Sequence, residues 1–270
     1  MVHDAIPTSR VYIDENMVQG ESHLIADGMA VVFSSRCPDR DTNEDAAALI
    51  PFCKGAGILV VADGVGGTGG GGYAANLAIE ALRASLASSS DSTMLRTAIL
   101  NGLEAANENI QALGTGAATT LALVELCGSM IRPYHVGDSM ILVVGQRGKI
   151  KLQTTPHSPV GFAVEAGYLD EVEALHHEDR HLVSNVIGSP DMRIEIGSPI
   201  ALAPRDTVLL ASDGLFDNLA VEEIVERVRK GSLDDVARLL STDATQRMLC
   251  PECGQPSKPD DVTFCVFRFA

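Results

Sequence analysis

Two apolar runs that each stop at Asp-Gly constrain this chain more than any other feature. Ile58-Leu59-Val60-Val61-Ala62 leads into Asp63-Gly64, and Val208-Leu209-Leu210-Ala211-Ser212 leads into Asp213-Gly214. Short β-branched runs of this kind read as buried strands. An acid at the end of such a strand is held by rigid backbone, and the glycine after it lets backbone or ligand approach closely. Whatever fold buries both strands must therefore bring carboxylates to their ends.

Further strand-like runs stand at 29–35, 45–50, 117–126, 130–136, 139–145, 149–153, 192–196 and 262–269. Short polar or glycine-containing turns separate many of them, which argues for antiparallel pairing rather than repeated βαβ units. Helical spacing is clearest at 71–87, where Ala74, Leu77, Ala78, Ala81 and Leu82 share a face, and it recurs at 92–113 and 219–240. The stretch 154–190 is polar, rich in His, Pro and Glu, and lacks a strong period; it reads as a surface excursion with short helices. A chain of 270 residues with 46% hydrophobic content can bury one large core or two small ones. Aromatics are only 4% and tryptophan is absent, so that core must be built from Val, Leu, Ile and Ala. No internal repeat or low-complexity linker divides the chain, so residues 1–270 read as a single domain.

A formal net charge of −16 repels nucleic acid and anionic lipid. The start, MVHDAIPTSR, has no apolar run of the signal-peptide kind, and stretches such as Gly57–Ala62 and Met140–Val144 are too short to span a bilayer. Six scattered cysteines suit a reducing compartment better than a disulfide framework. The expectation is a cytoplasmic protein with no membrane and no nucleic-acid partner.

Two more acidic pairs join the strand-end acids: Glu44-Asp45 within RDTNEDA, and Asp260-Asp261 just before the final strand-like run. Each has a plain reading taken alone. Asp-Gly after a strand is usually a turn, Glu44-Asp45 a solvated loop, and Asp260-Asp261 a charged strand start. Together they describe a set of hard oxygen donors. Gathering several carboxylates costs heavily in like-charge repulsion, and Mg²⁺ or Mn²⁺ relieves that cost. Spacing alone supports a cation site and names no reaction.

The ordered series RDTNED, VVADGVGG, GAATTLALV, VGDS, LLASDGLFD and PDDVTF resembles the metal-dependent type 2C serine/threonine protein phosphatases, the PPM family, in a bacterial-style single-domain form. The resemblance runs from about Met29 to Phe269. It implies an α+β fold, a four-layer α-β-β-α sandwich of two stacked, mainly antiparallel sheets flanked by helices. It implies hydrolysis of phosphoserine and phosphothreonine in a phosphorylated protein substrate, a companion Ser/Thr kinase, and a monomer. It also implies two Mn²⁺ or Mg²⁺ ions per chain, with Asp63 bridging them, Glu44 and the Gly64 carbonyl on one side, and Asp213 and Asp260 on the other. Asp45 matches an acid that orients water. Asp138 in Gly137-Asp138-Ser139 matches an acid that, with Asp213, holds a third ion in some relatives. Arg40 matches the arginine that grips the substrate phosphate, where a planar fork suits bidentate contact; Arg36 has the wrong spacing. The excursion 154–190 corresponds to a flap that helps choose substrates.

Departures from the pattern are specific. Val65 stands where some relatives carry a histidine after Asp-Gly, Met140 where an arginine often follows Gly-Asp-Ser, and Pro156 where an acid often precedes His-Ser. Competing motifs fare worse. Gly64–Gly69 formally fits GxGxxG, but the fingerprint wants an acid about 20 residues on at a strand end, and Glu80 lies mid-helix. No Gly-Lys-Ser/Thr closes a P-loop. Asp39-Arg40-Asp41-Thr42 lacks the apolar strand that feeds an aspartyl-phosphate nucleophile. Cys250-Pro251-Glu252-Cys253 is half a zinc ribbon with no second pair, and reads as an unremarkable loop. His176, His177 and His181 read as solvated, His135 as packed against the core, and the charges of Glu222–Lys230 as a solvated helix face. A phosphatase-like module that binds partners without turnover is the alternative; it would be free to shed ligand acids, and here all the matched acids are present.

Overall fold

A computed structural model describes residues 8–65, 70–88 and 91–269. Its strands are β1 (Arg10–Ile13), β2 (Glu21–Ile25), β3 (Gly28–Ser35), β4 (Ala46–Cys53), β5 (Ala56–Ala62), β6 (Gly64–Val65), β7 (Ala118–Thr119), β8 (Leu121–Cys127), β9 (Met130–Val136), β10 (Met140–Val144), β11 (Ile150–Gln153), β12 (Glu195–Ile196), β13 (Ile200–Ala201), β14 (Thr207–Ala211) and β15 (Val262–Phe269). The helices are α1 (Gly71–Ala87), α2 (Leu95–Ala112), α3 (Pro159–Glu165), α4 (Glu171–Leu175), α5 (Asp213–Phe216), α6 (Val221–Val228) and α7 (Leu233–Leu249).

One sheet runs β1-β4-β5-β8-β9-β12, with β13 also on β9; the other runs β11-β10-β14-β15-β3-β2, and every pairing is antiparallel. The two Asp-Gly strands, β5 and β14, are interior strands of different sheets. Strand alternation explains why both are apolar throughout. Along β5, Ile58, Val60 and Ala62 face α1 and α2, while Leu59 and Val61 face the other sheet. Along β14, Leu209 and Ala211 pack under α5–α7, while Val208 and Leu210 meet the first sheet. Three apolar layers thus separate four structural ones, as the α-β-β-α expectation requires. Truncating an interior residue such as Leu59 to alanine removes about 2–5 kcal/mol of packing.

Local differences from the sequence reading have local causes. The helical region at 219–240 is two helices, because Gly231 adopts a φ of +88° and Ser232 restarts the chain as an N-cap, its Oγ accepting the Asp235 N–H at 3.1 Å. The charges of 222–230 are only partly solvated: Arg247 reaches Glu223 at 2.6 Å and Arg227 reaches Asp243 at 2.8 Å, tying α6 to α7. The run 117–126 breaks at Thr120, and 192–196 shrinks to Glu195–Ile196. The 92–113 helix begins as a 3₁₀ turn at Ser92–Met94 capped by Asp91. Cys250 and Cys253, read as an unremarkable loop pair, are joined by a disulfide, while Cys37, Cys53, Cys127 and Cys265 are free. No helix among the described residues is long and apolar enough to cross a membrane. The glycine run reaches outside the described residues at 66–69.

Candidate metal centre

Register places the acids. Ala46 at the start of β4 pairs with Ala62 at the end of β5, so Glu44-Asp45 and Asp63 emerge at the same end of the first sheet. Met140 at the start of β10 pairs with Ala211 at the end of β14, and Ala211 pairs with Phe264 near the start of β15. Asp138, Asp213 and Asp260-Asp261 therefore leave the second sheet together.

Neighbouring groups hold each acid in place. The Asp63 carbonyl accepts the Thr120 N–H and the Thr119 hydroxyl, both at 2.8 Å, so the GAATTLALV segment braces the end of β5. Asp45, 2% exposed, accepts the Ser212 hydroxyl at 2.8 Å and so bridges the two sheets. Asp261 accepts the Cys37 N–H at 2.6 Å through one oxygen and the Glu44 N–H at 2.8 Å through the other. Gly214 packs so closely that a Cβ there would lie 1.9 Å from the Asp261 carbonyl oxygen. Asp217 follows Asp213 by four residues, one helical turn on. Arg40 sends its guanidinium to Asp260 at 3.2 Å and to Asp261 at 3.7 Å.

Burial and mutual repulsion push these carboxyls towards their neutral forms. Burial raises Asp45, followed by repulsion from Asp261; burial raises Asp63, followed by Asp45 and Asp213. Asp138 is pushed up to about 8 by burial and then by Asp213 and Asp217. Asp217 rises to about 6 from burial and the Asp213 charge, and burial with Asp213 also raises Asp260. Anionic carboxylates at this density need cationic compensation. Lys258 and Arg40 supply part of it. The remaining donors are all hard oxygens, a set suited to Mg²⁺ or Mn²⁺ and poorly suited to softer ions. The donor chemistry of these acids suits such cations, while among the described residues the potential ligand atoms gathered within 4.8 Å of one another are those of His135, His157 and Glu195.

The histidines form a separate cluster. Ligand atoms of His135, His157 and Glu195 lie within 4.8 Å of one another, and the two rings stack with centroids 4.3 Å apart. His157 Nδ1 faces two donors, the Gly137 N–H at 3.1 Å and the Asn185 amide at 2.9 Å. Its ring proton therefore sits on Nε2, 3.1 Å from Glu195, which leaves no lone pair there for a metal. The His157 N–H also donates to the Gly137 carbonyl at 2.9 Å, so the ring and its backbone clamp the turn that carries Asp138. His135 is buried and bonds the Thr155 carbonyl at 3.1 Å, consistent with a packed rather than ligating role.

Sequence reasoning assigned no role to Asp217, Lys258, Asn218 or Ser212. Asp217 was findable as an acid four residues after Asp213. Lys258 and Asn218 carry no local signal, since a lysine between Ser and Pro reads as solvated. Beside Asp138, Asp213 and Asp217 opens a cavity of about 310 Å³ whose other wall is Val160, Val164 and Leu175 of the 154–190 excursion.

The family profile described as Protein phosphatase 2C matches residues 34–250. The chain belongs to the protein phosphatase 2C family. Protein phosphatase PhpP of Streptococcus pneumoniae is 30% identical over 194 residues, covering 68% of this chain and 78% of that protein. Among solved structures, the serine/threonine phosphatase of S. agalactiae superposes with a TM-score of 0.77 at 28% identity, covering 89% of this chain and 99% of that one. The catalytic domain of the serine/threonine phosphatase PstP, solved with two manganese ions, superposes at 0.69 with 25% identity, covering 88% and 96%. This 2C-family chain is accordingly a protein serine/threonine phosphatase, an enzyme whose substrates are phosphoproteins. The profile match ends before Asp260, so the last acid of the centre rests on the fold rather than on that match.

Proposed function

We propose that this chain hydrolyses phosphoserine and phosphothreonine at a centre where Glu44, Asp63, the Gly64 carbonyl, Asp213 and Asp260 hold Mn²⁺ or Mg²⁺. The observation that carries the reading is the convergence of strand-end acids from both sheets on one site, with burial and mutual repulsion left for cations to offset. Such ions, when bound, acidify water and neutralise phosphate oxygens. Asp63, on which the charges of both Asp45 and Asp213 act, is the acid that both ions would share in this reading. Asp45, buried behind the ligands and fixed by Ser212, orients water rather than binding an ion. Arg40 is 46% exposed, so its guanidinium can turn from Asp260 to a phosphate while its charge stays at the site.

Asp138 lines the same cavity as Asp213 and Asp217. With Val65 in place of a histidine, the leaving alkoxide takes its proton from water held on the Asp138 side. The 154–190 excursion is a flap of one 1–270 domain, and the adjoining cavity receives substrate residues next to the phosphate. A cytoplasmic monomer opposing a companion Ser/Thr kinase is the setting that fits this activity and the charge of −16. A binding module without turnover gains no support from any residue of the site.

The test is phosphate release from phosphoserine and phosphothreonine peptides with Mn²⁺, Mg²⁺ or a chelator. Release with either ion and none with chelator is expected; no release by folded protein with any metal overturns the reading.

A further inference from the structure

The cavity beside Asp138, Asp213 and Asp217 is apolar away from those acids. Met140 at the start of β10, Phe216 at the end of α5 and Leu219 line it from the body of the fold. Val160 and Val164 of α3 and Leu175 of α4 line it from the flap. Met140, Phe216, Leu219 and Val160 are buried, so packed side chains bound most of this space. Its volume of about 310 Å³ stands at the lower end of ligand sites, roughly 300–1,000 Å³, with room for a side chain and not for a folded element.

Local bonds hold the flap wall in place. Ser158 caps α3, its Oγ accepting the Gly161 N–H at 2.9 Å, and Asp170 and Glu173 form a reciprocal capping box at α4. Arg180 donates to the Leu175 carbonyl and, at 3.2 Å, to the Ser257 carbonyl. That arginine therefore ties the flap to the segment leading to Asp260, and the cavity is formed before any substrate arrives.

Charge decides what can enter. Besides the three aspartates, the lining holds Glu165, Glu171 and Glu222, with Arg180 the one cation among the described lining residues. Both terminal nitrogens of Arg180 are already bonded to carbonyls. An anionic side chain here would lose water, meet like charge and find no free cationic partner. An aliphatic side chain would gain from leaving water. Asp138 and Asp213 belong to both the acidic centre and the cavity wall, so residues flanking a phosphate at that centre lie at the cavity mouth.

We propose that this cavity takes one aliphatic side chain of the phosphoprotein substrate, at a fixed offset from the phosphorylated residue, and rejects Asp and Glu at that offset. This rests on the phosphatase reading above. Val164 is a specificity-determining residue, and its partial exposure makes it the wall position that best tolerates a change of size.

The experiment measures kcat/KM of the full-length protein with Mn²⁺ on phosphothreonine peptides. Each flanking position is Leu, Ala, Lys or Glu in turn, and p-nitrophenyl phosphate serves as a substrate without flanks. At one offset, Leu is expected to exceed Ala by about tenfold or more, the scale on which apolar pockets discriminate, with Glu below Ala. Val164→Phe, which fills the space, is expected to erase that preference. Val164→Ala, which widens it, is expected to move the optimum at that offset from Leu to Phe. Ratios between peptides are read within each variant, with circular dichroism confirming the fold, so a general loss of activity does not mimic either result. Equal rates for Leu, Ala and Glu at every offset, in protein that hydrolyses p-nitrophenyl phosphate, overturn the proposal and leave the phosphatase reading standing. A Leu preference unchanged in both Val164 variants also overturns it, because the selection would then arise elsewhere. No turnover of any substrate overturns the phosphatase reading, and the proposal with it.

Discussion

The Asp261 carboxylate accepts the backbone N–H of Glu44 at 2.8 Å across 217 residues of sequence. Its other oxygen takes the Cys37 N–H at 2.6 Å, so one 3%-exposed acid fixes the segment carrying Arg40 and Glu44 against the start of β15. Hydrogen bonds to a charged acceptor are worth more than neutral ones, and orphaned buried donors cost further. Asp261→Ala is expected to lose about 3 kcal/mol of stability in urea unfolding and to weaken Mn²⁺ binding. Asp261→Asn, which keeps one acceptor oxygen, is expected to lose less of both; equal losses in the two variants would contradict the tether.

Arg40 is expected to act on substrate rather than on folding. Arg40→Ala removes charge-assisted bonds worth about 1.5–3 kcal/mol, which corresponds to roughly a tenfold or greater loss in kcat/KM for a phosphopeptide. Because the side chain is half-exposed, the melting temperature should stay close to wild type. Arg40→Lys should recover charge but not bidentate contact, and should restore activity only in part. Full activity in Arg40→Ala would remove the residue from the mechanism.

Asp138 is expected to matter for turnover and little for the ion pair. Asp138→Asn should lower kcat while leaving the affinity for two Mn²⁺ ions within a few-fold of wild type by calorimetry. An unchanged kcat would sink the assignment of leaving-group protonation to that side of the centre.

Acid sensitivity should trace in part to His135. Burial, then the neighbouring His157, holds its pKa below the ordinary 6.5. The unfolded chain therefore binds a proton at His135 that the folded chain refuses, so stability rises with pH up to about 6.5 and gains nothing from this group above it. Urea unfolding of His135→Gln between pH 5 and 7.5 should show a shallower rise than wild type. An identical slope would exclude His135 as a contributor.

The strands most fully buried were the most legible. β5 and β14 had to be apolar on both faces, and their Asp-Gly ends pointed to the site because the register leaves them little choice. β1 and β2 escaped notice because they are edge strands that mix exposed and buried residues, so no run or clean alternation marks them. The break between α6 and α7 turned on Gly231, whose positive φ is visible only in three dimensions. At the site, acids declare themselves by type and strand-end position. Asn218 and Lys258 do not, because their roles come from hydrogen bonds across 40 residues that no local pattern encodes. The Cys250–Cys253 bond was missed for a different reason: two thiols three residues apart look the same in sequence whether free or bonded.

The measurement that tests the central claim most directly is p-nitrophenyl phosphate hydrolysis by wild type, Asp63→Asn and Asp213→Asn across a Mn²⁺ titration, with bound metal counted in parallel. The account predicts activity that rises with metal occupancy in wild type and collapses by at least about a hundredfold in both folded variants, because each removes a charged oxygen donor at the centre. Activity that persists in chelator, or survives either substitution intact, would contradict it.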